Sequence, residues 1–135
     1  MKDCNYYNVF IAIADDSTTT IAEIPEPKKD GKTIALMQYE LIANHPYRYT
    51  QEDVLFSVYA ERNHIPEGDR EEARKRFFSK GQPCLRTSAL GKRYGWGMHH
   101  DAQGRVALYP VDSEQYSELV RNSSLTQLKA LRSKR

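Results

Sequence analysis

Apolar blocks separated by polar and proline-containing stretches predict that strands and helices alternate along this chain. Residues 8–14 (NVFIAIA) form a short apolar block that ends at two aspartates, which is typical of a strand covered on both faces. Residues 18–31 contain two prolines, two lysines and a glycine, and this composition predicts a surface loop.

Apolar side chains that recur every three or four residues predict helices over residues 33–44, 51–63 and 69–78. A proline two residues after the first segment ends that helix. Thr50 and Asp53 stand three residues apart at the start of the second segment, where a hydroxyl and a carboxylate form a capping box. The third segment has its acidic residues early and its basic residues late, as the helix dipole favours.

Two further cap-like pairs predict two helices near the C-terminus. Asp112 with Gln115 precedes a helix that carries Tyr116, Leu119 and Val120. Ser124 with Gln127 precedes another, with apolar residues along one side at Leu125, Leu128 and Leu131.

A β-hairpin is predicted between these two groups of helices. Residues 94–100 and 105–111 flank the sequence DAQG, in which Asp101 and Gly104 fit a type I turn closed by a left-handed residue. A four-residue loop would put Tyr94, Trp96 and Tyr109 on one face and Gly95 and Gly97 on the other. The favoured interpretation of the glycines is a helix packed tightly on their face, and the alternative is a ligand in the same gap.

These elements predict an α+β fold in a single domain of residues 1–135. A small, mostly antiparallel sheet contains the hairpin and is covered by four or five helices. The chain is 39% hydrophobic and 28% charged, which is ordinary for a globular domain. Its two cysteines are 80 residues apart, which favours free thiols in a reducing compartment. Without a signal peptide or a long apolar run, we expect a cytoplasmic protein that does not associate with a membrane.

Several long segments resemble one protein family. The segments SKGQPCLR and KRYGWG, followed by a hairpin that ends in ALY, are similar to a family of small standalone bacterial proteins known as a domain of unknown function. The upstream segments TIALMQYELIANHPYRYT and QEDVLFSVYA resemble the same family. The resemblance implies a single-domain cytoplasmic protein. The family carries no assigned activity, so the resemblance transfers no catalytic residue.

The middle of the chain is basic, and it predicts a site for a small anion. Residues 1–69 hold six Lys or Arg against twelve Asp or Glu, whereas residues 70–105 hold nine against three. Arginine binds carboxylates and phosphates bidentately, and hydroxyl groups add further hydrogen bonds. The predicted ligand-binding residues are Arg86, Ser88, Lys92, Arg93, Tyr94 and Trp96. The alternative is that these cations pair with the acidic N-terminal half.

Nucleic-acid binding is an alternative function for the same segment. Aromatic side chains on an exposed sheet face stack on unpaired bases while nearby cations hold phosphates. The residues concerned are Arg86, Lys92, Arg93 and Arg105 with Tyr94, Trp96 and Tyr109. The competing interpretation is that this aromatic face belongs to the core.

A cysteine-dependent enzyme is the third candidate. A nucleophilic thiolate needs nearby cations and usually a histidine partner, which makes Cys84 and His99 the candidate catalytic residues. A small buried apolar role for Cys84 is the alternative. His99 and His100 point to opposite faces of a strand, and no metal-binding spacing is present, so no metal or other cofactor is predicted. The sequence therefore favours a non-enzymatic domain that binds a small anionic ligand or a protein partner.

Overall fold

A computed structural model describes residues 3–133 of the chain. Within this range, the chain forms four strands and five α-helices. The strands are β1 (Val9–Ala12), β2 (Trp96–His100), β3 (Val106–Pro110) and β4 (Thr126–Lys129). The helices are α1 (Ile34–Ala43), α2 (Gln51–Arg62), α3 (Arg70–Ser79), α4 (Ala89–Lys92) and α5 (Glu114–Val120).

The four strands form one sheet in the order β3-β2-β1-β4. Strands β1, β2 and β3 pair antiparallel, while β4 runs parallel to β1 at the opposite edge from β3. The predicted α+β class is confirmed, with a small and mostly antiparallel sheet that contains the hairpin. The apolar block at residues 8–14 supplies a central strand whose Val9, Phe10 and Ile11 are all buried.

One face of the sheet packs against α1, α2 and the segment around α4. Pairing places Val9 opposite His100 and Ile11 opposite Met98, so these four side chains share that face. They pack with Ala35, Ile42, Val54, Leu85 and Leu90 from the covering layer. This layer forms the main core, and it fixes the positions of the helices that carry the candidate site.

Helix α5 covers part of the other face, above Gly97. The rings of Phe10 and Tyr116 meet edge to face at 5.2 Å there. The Tyr116 hydroxyl accepts a hydrogen bond of 3.0 Å from the Ile13 backbone N–H. A Cβ atom on Gly97 would lie 2.6 Å from the Tyr116 ring, so glycine is what permits this close contact. The favoured prediction, a helix packed tightly on the glycine, is therefore confirmed at Gly97.

Helices α1, α2 and α3 each begin within one residue of the predicted start. The Thr33 hydroxyl accepts from Leu36 N–H at the start of α1. At the start of α2, Thr50 and Asp53 form the complete capping box, in which each side chain accepts from the other residue's backbone N–H. Helix α5 begins one residue later than predicted, because Ser113 rather than Asp112 caps it. The Asp112 carboxylate instead accepts from the Ala22 backbone N–H.

The predicted helix capped by Ser124 and Gln127 is wrong, because this segment forms strand β4. The Thr126 N–H donates to Asn8 O and the Ala130 N–H donates to Ala12 O, which continues the ladder beside β1. Leu128 pairs with Ile11 and packs against the core. Three leucines at a spacing of three residues were compatible with a helix, but pairing with a strand more than 110 residues away determines the structure.

The predicted register of the hairpin is wrong by one residue. Asp101 N–H donates to Arg105 O and Gly104 adopts a left-handed φ of 80°, which closes a three-residue loop instead of a four-residue one. His100 consequently pairs with Val106, and Gly97 pairs with Tyr109. A shift of one residue moves side chains to the opposite face, so Tyr109 does not share a face with Trp96.

Candidate functional site

The six predicted ligand-binding residues do not form one site. Arg86 packs beside the C-terminal end of β4. Its guanidinium Nε donates to Lys129 O at 2.7 Å, and its own carbonyl accepts from Leu131 N–H. Ser88 is buried, and its hydroxyl donates to Gln38 Oε1 at 2.5 Å. The side chains of Arg86 and Ser88 are thus already engaged within the protein.

The aromatic pair Tyr94 and Trp96 packs against the main core. The Trp96 indole N–H donates to the Glu23 carbonyl at 2.8 Å, and its ring lies 5.2 Å from that of Tyr39. Backbone of the predicted loop also crosses Gly95 so closely that a Cβ there would lie 3.1 Å from the Ala22 Cα. The loop over residues 18–31 therefore covers this end of the hairpin, and nucleic-acid binding through these aromatic residues stays a prediction.

Cys84 and His99, the candidate catalytic pair, lie on opposite sides of the sheet. Cys84 stands beside Tyr6, and burial together with the Cys84 thiol raises the pKa of the Tyr6 phenol to about 12. The Tyr6 ring contacts His100 on the core side, at a centroid distance of 5.4 Å. His99 is next to His100 on the strand and points to the other face. The geometry provides no direct thiol–imidazole pair, and a cysteine-dependent activity stays a prediction.

His99 belongs to a network of aromatic hydroxyl groups on that other face. The Tyr47 hydroxyl lies 2.8 Å from His99 Nδ1 and 2.6 Å from the Tyr109 hydroxyl. Desolvation by burial is the main cause that raises the pKa of Tyr47, and burial lowers the pKa of His99. Tyr47 itself has a left-handed φ of 59°, held by its N–H bond to the Val106 carbonyl. The network ties the connection between α1 and α2 to the hairpin.

A cleft of about 720 Å³ opens where the N-terminus of α1 meets the C-terminus of α2 and the end of α4. We call it the basic cleft. The residues that line it are Lys28, Asp30, Gly31, Lys32, Thr33, Ile34, Ala35, Met37, Glu61, Arg62, His64, Ala89, Arg93 and Tyr94. Arg93 and Tyr94 are the two predicted ligand-binding residues that the fold brings into this cleft.

The charges in the basic cleft are unbalanced. Lys32 is paired with Glu40 at 2.6 Å, and Glu61 lies 3.9 Å from Arg70. In contrast, Arg62 and Arg93 form no ion pair with any part of the chain between residues 3 and 133. The first turn of α1 also contains no acidic residue, so the partial positive charge of its N-terminus adds to theirs.

A second cleft of about 350 Å³ adjoins the first and is mostly apolar. We call it the apolar cleft. It lies between α1, α2 and the chain that leads into α4, and its walls are Ile34, Ala35, Gln38, Leu55, Val58, Tyr59, Arg62, Asn63, Phe77, Gln82, Pro83, Thr87, Ser88 and Ala89. Ser88 is the predicted residue found here, and Lys92 lines neither cleft.

The comparisons with known proteins agree with the resemblance seen in the sequence. The chain belongs to DUF6157, a family of unknown function. The family model matches residues 1–135. No curated protein and no solved structure shows significant similarity to the chain. Membership in DUF6157 assigns no activity, so the function of the clefts has to be argued from their geometry.

Sequence reasoning missed Arg62, a cation that lines both clefts. A signal for it was present, because Leu55, Val58, Tyr59 and Arg62 recur at helical spacing, which places a cation on the apolar side of α2. An arginine at the end of an apolar stripe extends its apolar stem along that surface and holds its charge at the rim. Arg62 lines both the apolar cleft and the basic cleft.

No helix among the described residues of this DUF6157 chain is long and apolar enough to cross a membrane. Those residues also contain no cluster of three or more His, Cys, Asp or Glu side chains with the geometry of a metal site.

Proposed function

We propose that this domain binds a small anionic ligand in the basic cleft and catalyses no reaction on it. The observation that carries the proposal is the pair of arginines, Arg62 and Arg93, that face one cleft from two different elements without an ion-pair partner among residues 3–133. Arginine presents a planar fork of donors that matches a carboxylate or a phosphate. Two such groups at one cleft favour an anion over a neutral ligand.

The surroundings of the two arginines support the same chemistry. Lys28 and the imidazole of His64 line the cleft, and no ion pair within the described chain neutralises Lys28. Arg62 is the last residue of α2, where the negative end of the helix dipole favours a cation. Asp30 is the acidic side chain that opposes this charge, since Glu61 already lies near Arg70.

Isothermal titration calorimetry with inorganic phosphate and with acetate tests this proposal directly. We expect the wild-type domain to bind at least one of them, and Arg62→Gln and Arg93→Gln each to weaken binding tenfold or more, because a charged hydrogen bond contributes about 1.5 to 3 kcal/mol. Arg121→Gln is the matched control, since Arg121 is exposed and lies outside both clefts. The proposal is wrong if both cleft variants bind as tightly as the wild type.

A single-stranded oligonucleotide in the same titration separates this proposal from nucleic-acid binding. Binding to a polyanion weakens steeply as salt rises, because many counterions are released. A small anion held by two arginines shows a much shallower dependence on salt. Tight binding of the oligonucleotide, lost between about 50 and 200 mM salt and unaffected by Arg62→Gln, would favour the alternative function.

A further inference from the structure

The basic cleft and the apolar cleft lie next to each other and share part of their walls. Ile34, Ala35, Arg62 and Ala89 line both of them. Arg62 therefore stands where the two clefts meet. A ligand held by Arg62 has an apolar surface directly next to its anionic group.

Most polar side chains of the apolar cleft already make a hydrogen bond within the protein. Ser88 donates to Gln38, and the Thr87 hydroxyl donates to the Cys84 carbonyl at 2.7 Å. The amide groups of Gln82 and Asn63 donate to the carbonyls of Phe77 and Tyr59, respectively. Arg62 and Tyr59 are the polar residues lining this cleft whose side chains make no such bond with residues 3–133. A polar ligand group inserted there would lose its hydration and gain few hydrogen bonds.

Two exposed apolar side chains belong to the walls of the apolar cleft. Ile34 is 48% exposed and Tyr59 is 40% exposed, and both line the apolar cleft. Single exposed apolar residues are normal on a protein surface, but two that face one cleft beside Leu55, Val58 and Phe77 form a continuous apolar wall. That wall is suited to hydrocarbon or to an aromatic ring.

We propose that the ligand is an amphipathic carboxylic acid, with its carboxylate on Arg62 and Arg93 and its apolar body in the apolar cleft. This inference rests on the anion-binding function proposed above and specifies the class of anion. The volume of about 350 Å³ lies near the lower end of small-molecule sites, which range from about 300 to 1,000 Å³. One aromatic ring or a short acyl chain is the body that fits.

Calorimetric titrations with acetate, octanoate and 4-phenylbutyrate, below their aggregation concentrations, test this class. Each methylene that is fully buried strengthens binding by about fourfold. We therefore expect octanoate and phenylbutyrate to bind at least tenfold tighter than acetate, and phosphate to compete with them. The uncharged 1-octanol should bind at least tenfold more weakly than octanoate, and Arg62→Gln should reduce that difference.

Two variants probe the apolar wall separately from the charge. Tyr59→Ser should weaken octanoate about threefold or more and leave phosphate unchanged, because Tyr59 lines the apolar cleft and not the basic cleft. Ile21→Ser is the matched control, since Ile21 is 61% exposed and lines neither cleft. Ile34→Ser gives a second test of octanoate binding to the same wall if Tyr59→Ser does not fold.

The possible results distinguish this inference from the function on which it rests. Phosphate binding that depends on Arg62 and Arg93, together with octanoate no tighter than acetate, overturns the amphipathic ligand and leaves the anion site intact. Octanoate binding that is equal in Ile34→Ser, Tyr59→Ser and the wild type overturns it as well. Failure of phosphate, acetate and both longer acids to bind overturns both proposals.

Discussion

Replacing Gly97 by alanine tests the packing that holds α5 on the sheet. The added Cβ would lie 2.5 Å from Phe10 Cζ and 2.6 Å from Tyr116 Cε2, well inside ordinary van der Waals contact. Neither ring moves freely, because Phe10 is fully buried and the Tyr116 hydroxyl is bonded to the Ile13 N–H. We therefore expect Gly97→Ala to destabilise the domain, although alanine is the better residue in a strand.

The size of the effect follows from three contributions. Overpacking of a tight core costs about 1 to 3 kcal/mol. Displacement of Tyr116 would add about 1 kcal/mol for the hydrogen bond to Ile13. Reduced entropy of the unfolded chain offsets about 0.4 to 1 kcal/mol. The net expectation is a loss of about 2 kcal/mol in the free energy of unfolding, measured by urea denaturation monitored by circular dichroism.

Gly81→Ala is the control for Gly97→Ala. A Cβ atom added to Gly81 would have no neighbouring atom within 4 Å, and the φ of Gly81 is not left-handed, so Gly81→Ala should stabilise the domain by about 0.4 to 1 kcal/mol. In a Tyr116→Ala background the cost of Gly97→Ala should fall by about 1 kcal/mol or more, because contacting residues are energetically coupled. Equal stability of Gly97→Ala and Gly81→Ala would refute the argument.

Three further predictions concern buried polar groups. His100 is fully buried, and desolvation lowers its pKa to about 4, so the free energy of unfolding should fall as pH drops from 6.5 towards 4, by at most about 1.4 kcal/mol per pH unit. His100→Leu should flatten that dependence in urea titrations at several pH values; an unchanged slope would contradict it. The Gln51 amide, which is 1% exposed, donates to one backbone carbonyl and accepts from one backbone N–H, so Gln51→Leu should cost about 2 to 4 kcal/mol of stability by urea denaturation. Tyr47→Phe removes a hydroxyl shared by two partners and should lower the free energy of unfolding by about 1 to 2 kcal/mol, whereas Tyr7→Phe, on the exposed surface, should have little effect in the same assay.

Local signals in the sequence were sufficient for the elements whose interactions are themselves local. The capping box of Thr50 and Asp53 spans three residues, and both of its hydrogen bonds form as predicted. The apolar block that becomes β1 needed only its own composition to be recognised as a buried strand. Helix periodicity likewise located α1, α2 and α3 to within a residue or two of their ends.

Long-range pairing explains why the C-terminal segment was not predicted. Leu125, Leu128 and Leu131 repeat at a spacing that suits a helix, and the alternation that turns Leu128 and Ala130 towards the core suits a strand equally well. The choice is made by β1, whose free edge accepts the segment through the bonds at Asn8 and Ala12. The local sequence around Leu128 does not contain that information.

The hairpin loop is one residue shorter than predicted, and this difference separates the aromatic residues of the predicted site. Pairing of Arg105 with Asp101 rather than with His100 turns Tyr109 from the face of Trp96 to the face of His99. The predicted aromatic surface then separates into two, of which one packs in the core and the other joins Tyr47. The nucleic-acid hypothesis requires these aromatic side chains on one face, so the corrected register makes it less well supported.

The corrected register of the hairpin does not affect the proposed anion site, because that proposal depends on the positions of charged side chains. The predicted site lay within residues 86–96, and the fold keeps Arg93 and Tyr94 while adding groups from segments around residues 28–35 and 61–64. Three stretches that are distant in sequence meet only after α1 and α2 pack together. The sequence is sufficient to recognise Arg62 as a cation on an apolar stripe of α2. It does not show that Arg62 lacks an ion-pair partner among residues 3–133, since that depends on where the fold places the acidic residues. The distribution of ion pairs, more than any motif, therefore determines where an anionic ligand is expected in this fold.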